Sequence, residues 1–88
     1  MLNTLDHVIV AVGDLDEATR STEALFGRPA SWRGVHPEQG TANALFRVAN
    51  TYLELLAPAG EGPIGALVSQ VLEERGEGVV GMAFGTDD

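Results

Sequence analysis

The sequence predicts an α+β fold: one β-α-β-β-β module continued by a linker helix and one further strand. Three features of the 88 residues carry that reading. A β-branched run, LDHVIVAV, opens the chain; a capped helix and three short strand patterns follow; and the last ten residues echo residues 5–14. The expected organisation is a module at 1–58, a helical linker at 59–78 and the opening strand of a second, truncated module at 79–88.

The elements follow in order. From Leu5 to Val12 the run suits a strand buried on both faces, with Leu5, His7, Ile9 and Ala11 on one side and Asp6, Val8, Val10 and Val12 on the other. Asp14 with Glu17 three residues on has N-cap spacing, and Leu15, Ala18, Thr22, Leu25 and Phe26 are expected to form the buried helix face, stopped by Gly27 and Pro29. Strands are expected at Ala30–Val35, Ala42–Ala49 and Thr51–Ala57, with a polar loop from His36 to Gly40. Pro63 suits the first turn of a second helix, along which Ile64, Leu67, Val68, Val71 and Leu72 recur at helical spacing until Gly76 and Gly78. Val79 to Thr86 reads as a strand again, and here the repeat appears. Val79–Asp88 aligns without a gap on Leu5–Asp14, an offset of 74 residues that sets Met82, Phe84 and Thr86 against Val8, Val10 and Val12, Gly81 against His7 and Asp88 against Asp14.

Composition narrows the function. Thirteen acidic residues against five basic ones, all Arg, give a net charge of −8, a field that repels nucleic-acid backbones and anionic lipid. No membrane span is expected, because no apolar stretch approaches about 20 residues. The absence of Cys removes disulfides, thiolate metal sites and thiol nucleophiles, and it fits a cytoplasmic location. A module this short leaves a sheet edge and an apolar face uncovered, so a homodimer, domain-swapped in one version, is the expected partner state.

The opening Leu-Asp-His-Val, the segment His-Pro-Glu-Gln-Gly-Thr-Ala-Asn at 36–43 and Tyr-Leu-Glu-Leu-Leu at 52–56 together resemble the first module of glyoxalase-like proteins of the vicinal-oxygen-chelate superfamily. In that superfamily two βαβββ modules build a cup-shaped sheet in which the first and fourth strands of each module are neighbours. The resemblance implies that His7 and Glu54 lie side by side facing the cup, as the ligands of a divalent metal do in catalytic members. Such a metal, zinc, nickel, iron or manganese, would be shared between chains, because the fifth-strand histidine of metal-binding members is replaced by Gly81.

The residues support part of this independently. Alternation on the last strand of the module puts Tyr52, Glu54 and Leu56 on one face, and a carboxylate inside an otherwise apolar strand demands a cation, a donor or water. The same rule groups Asn43, Leu45 and Arg47, so Asn43 and Arg47 are candidate ligand-binding groups, with Arg47 suited to a carboxylate or phosphate, or else to Glu54 itself. His36, Trp32 and Tyr52 are further candidates for the pocket wall. Glu54 is the candidate acid or base. The expected function is binding of a small oxygenated organic ligand, with metal-dependent lyase, isomerase or dioxygenase-type chemistry; the alternatives are a metal-free binding or sequestering module and an inactive remnant.

Overall fold

The computed structural model describes residues 2–48 and 51–86, with side chains described for residues 7–48 and 51–79. The elements are β1 (Leu2–Ala11), α1 (Leu15–Phe26), β2 (Trp32–His36), β3 (Thr41–Val48), β4 (Thr51–Pro58), α2 (Pro63–Arg75) and β5 (Gly78–Thr86). They match the expected succession. The second strand begins two residues later than predicted, at Trp32, while Ala49 and Asp88, which the sequence reading placed in a strand and in the repeat, lie outside the described residues.

All five strands form one mixed sheet in the order β2-β3-β4-β1-β5, with β1 parallel to β4 and the other neighbours antiparallel. The apolar opening run is therefore an interior strand. Against β5, Val8 lies opposite Met82, the residue 74 positions later, and the pairs His7–Ala83 and Ile9–Gly81 flank it. The offset of the sequence repeat is thus a local two-fold relation between β1 and β5, whose axis passes through the Val8–Met82 pair.

α1 covers one face. Asp14, extended at φ −123°, accepts a hydrogen bond from the Glu17 amide at 3.1 Å, and Gly27 closes the helix in the left-handed region at φ 70°. Val12, Ala44, Phe46, Leu55 and Ala57 form the buried core, against which Val10, Ala30 and Leu53 and, from α1, Leu15, Ala18 and Phe26 pack. Phe26 and Phe46 meet edge to face with centroids 5.6 Å apart. Leu25 departs from its expected place and is 80% exposed. At 100° per residue it stands about 80° from Leu15, whereas Phe26 returns to the stripe; Thr19, unremarked in the sequence, is buried instead.

α2 packs on β4 and β1 and closes one end of the opposite face, where Ala11, Thr41 and Asn43 are buried. Its docking explains the His36–Gly40 loop. The Gly65 amide donates to the Gln39 carbonyl at 2.8 Å, which serves a helix start that has no side-chain cap, and a Cβ on Gly65 would lie 2.0 Å from the Gly40 carbonyl oxygen. Only Gly65 and Val68 of α2 are fully buried, so the expected apolar stripe is only partly used: Ile64 and Leu67 are exposed. Helical spacing records which residues share a face, and this stripe is wider than the strip of sheet beneath it.

Candidate functional site

The face opposite α1 is a ruled grid. Register places Arg47 of β3, Tyr52 of β4 and His7 of β1 in one row, Leu45, Glu54 and Ile9 in the next, and Asn43, Leu56 and Ala11 in the third. Directly paired residues point to the same side of a sheet, so these rows form one face of the sheet, the cup face, whose polar groups come from three adjacent strands. Gly81 extends the row of Glu54 and Ile9 on β5.

At the centre Nε2 of His7 lies 3.2 Å from Oε1 of Glu54, and Nδ2 of Asn43 donates to Oε2 of Glu54 at 2.9 Å. Both carboxylate oxygens are thereby engaged. The side chains of His7 and Glu54 are 25% and 14% exposed, so the carboxylate is largely withdrawn from water and depends on these two partners. Asn43 is 7% exposed and its Oδ1 has no partner; Thr41, two residues earlier on the same face and 1% exposed, has an unpartnered Oγ1. A cavity of about 270 Å³ is lined by His7, Asn43, Leu45, Tyr52 and Glu54. Since small-molecule sites run to about 300–1,000 Å³, this space suits the reacting end of a ligand rather than a whole cofactor.

At the cup's edge the Arg47 guanidinium stands 5.8 Å from the centroid of the Tyr52 ring, and its Nη1 is 3.4 Å from the Tyr52 hydroxyl. Arg47 is thus Tyr52's partner and not Glu54's. Trp32 and His36 sit apart from this cavity. The indole lies over Gly34, where a Cβ would be 2.0 Å from it, and its centroid is 6.1 Å from the His36 ring; His36 lines a separate depression with Val35, Pro37, Glu38 and Gln39. Sequence reasoning did not single out Thr41, whose only signal was its period-two spacing from Asn43. On the α1 side, Nη2 of Arg33 donates to Asp16 at 2.6 Å, and that bond, with the guanidinium charge, holds the Asp16 carboxyl below its usual range.

The donors for a metal are one imidazole and one carboxylate. Among the described residues no group of three or more His, Cys, Asp or Glu side chains converges, whereas a catalytic zinc centre takes three protein ligands and a water. The described residues of one chain therefore do not fit a complete metal site. Among those residues no helix is long and apolar enough to cross a membrane.

The model of a family described as glyoxalase-like domain matches residues 5–88. The chain is 34% identical over 62 residues to ethylmalonyl-CoA/methylmalonyl-CoA epimerase of Cereibacter sphaeroides, a match covering 70% of this chain and 46% of that protein. It is 33% identical over 70 residues to human mitochondrial methylmalonyl-CoA epimerase, covering 78% of this chain and 40% of that one. It therefore spans less than half the length of these curated relatives. Among solved structures, a variant of Streptomyces coelicolor methylmalonyl-CoA epimerase in complex with 2-nitronate-propionyl-CoA superimposes with a TM-score of 0.81 at 32% identity, covering 100% of this chain and 63% of that one.

Proposed function

This chain belongs to the glyoxalase-like domain family, and on that premise we propose that it forms half of a cup that binds a small acyl thioester and inverts the carbon next to its carbonyl. The observation that carries the reading is the convergence of His7, Glu54 and Asn43 on one cavity, in a chain whose relatives are named as epimerases of acyl-CoA compounds. In this reading Oε1 of Glu54 accepts the α-proton and the C–H electron pair moves toward the carbonyl oxygen. His7 shares the captured proton, and inversion is completed when a donor on the opposite side of the planar enolate, supplied by the other half of the cup, protonates the carbon there. Asn43, bonded to Oε2, keeps the carboxylate turned toward His7.

We further propose that residues 1–58 are one module, 59–78 a linker and 79–88 the first strand of a second module, and that a second copy of the chain covers the exposed Ile64, Leu67 and Val79. No step is assigned to a metal. Elemental analysis of protein purified without chelator, on wild type and on His7→Ala and Glu54→Ala, tests whether two copies share one.

The deciding experiment follows the α-proton of methylmalonyl-CoA by NMR in D2O, with solution mass measured by light scattering. Exchange by the wild type, abolished in Glu54→Gln and reduced in His7→Ala, is the expected result. Binding without exchange would replace this reading with the metal-free binding module, which the glycine at position 81 favours. Neither binding nor exchange would overturn both.

A further inference from the structure

Arg47 stands out on the cup face. Thirteen acidic residues compete for five arginines in this chain, and Arg33 is bonded to Asp16. Among the described residues Arg47 forms no ion pair, and its guanidinium meets the face and the hydroxyl of Tyr52. Arg47 shares a row with Tyr52 and His7, on the face that carries the His7–Glu54 pair. Glu54, one row away, is already held on both oxygens by His7 and Asn43, and the exposed Arg47 stands against Tyr52, which lines the cavity. The Tyr52 ring holds Arg47 against the cup wall, and a hydroxyl that accepts from Nη1 keeps its own proton for donation.

We infer that Arg47 and Tyr52 form an anion subsite that receives a carboxylate of the acyl group, while the carbon beside it is presented to Glu54 and His7. This rests on the proposed function and adds the ligand's second anchor. His7 and Arg47 lie two strand spacings apart, roughly 10 Å between backbones, with Tyr52 between them in the same row. An acyl group that carries a carboxylate as well as a thioester has an anchor for each end of that row. A fork of paired N–H donors matches the two oxygens of a carboxylate, which a lone ammonium does not.

The same chemistry could serve a phosphate of the thioester's carrier, and three ligands separate the two. Titration calorimetry compares methylmalonyl-CoA, propionyl-CoA and CoA on wild type, Arg47→Gln, Arg47→Lys and Tyr52→Phe. The expected result is a preference of about 10- to 100-fold for methylmalonyl-CoA over propionyl-CoA. Arg47→Gln should erase that preference, Arg47→Lys should restore part of it, and Tyr52→Phe should reduce it. The preference should also shrink as salt rises, because Arg47 is exposed. An equal loss for all three ligands in Arg47→Gln would assign the guanidinium to phosphate and overturn the inference. Unchanged binding of both thioesters in Arg47→Gln would overturn it while leaving the proposed function standing. Failure of the wild type to bind either thioester would remove both.

Discussion

Phe46 and Ala44 on β3 are fully buried under α1, while Asn43, Leu45 and Arg47 of the same strand face the cup. One face is held together by apolar burial and an edge-to-face ring pair. The other keeps a carboxylate 14% exposed by giving it an imidazole and an amide, and leaves Asn43 Oδ1 and Thr41 Oγ1 buried without partners. The first arrangement lowers the free energy of folding; the second spends some of that gain to keep polar atoms in place. Residues that differ by one position in sequence thus serve stability and recognition separately.

The sharpest test of that division is Phe46→Ala, which should cost about 3–5 kcal/mol in urea unfolding, enough to unfold most of a small domain. A loss under about 1 kcal/mol would mean that α1 is not the main source of stability. Gly65→Ala should come next, at about 1–3 kcal/mol, because its Cβ would strike the Gly40 carbonyl and lift α2 off the end of the cup. The cup pair should behave differently. Asn43→Ala leaves Glu54 half-partnered and should cost about 1–3 kcal/mol, yet Asn43→Leu with Glu54→Leu should be within about 1 kcal/mol of wild type, or more stable, while ligand binding disappears. A double variant as unstable as the sum of its parts would show that the polar pair supports the fold.

The smallest effect concerns Asp16. Its carboxyl is held below 3.8 by Arg33, so the stabilisation is fully present above the ordinary carboxylate value and is lost as pH falls through the lowered one. Both side chains are largely exposed, so water screens the pair. Arg33→Gln should lower the melting temperature slightly at neutral pH and leave it unchanged at the acid end, where Asp16 is protonated in both proteins, so that the fall between the two is flatter in thermal scans from pH 7 to 2.

The strand faces were legible because period-two alternation survives any error in strand ends: His7, Glu54, Asn43, Leu45 and Tyr52 all reach the cavity that the sequence implied. The hydrogen bond from Asn43 to Glu54 was not legible, since it depends on how far β3 slides against β4, and one residue of slip would turn a whole strand over. Leu25, Ile64 and Leu67 show a different limit. Apolar character says what a residue tolerates burying, whereas the neighbouring strands decide what is covered, and here that area runs out before the apolar residues do. His36 and Trp32 carried pocket-like chemistry on an outer strand, and their own contact with each other on β2 leaves them beside the cup rather than in it.

The two-fold relation between β1 and β5 has a consequence for how the molecule responds to its own concentration. Because Val8 faces its own equivalent, Met82, a second copy's β1 could replace β5 in the same register and conserve the ladder of backbone hydrogen bonds. The choice between the closed and exchanged forms then depends on the effective concentration that the α2 linker imposes on β5 relative to the concentration of other chains. In the closed form Ile9 pairs with Gly81, and the cup holds one imidazole. In the exchanged form that place would belong to the second copy's His7, so protein concentration alone would set the number of imidazoles lining the cup.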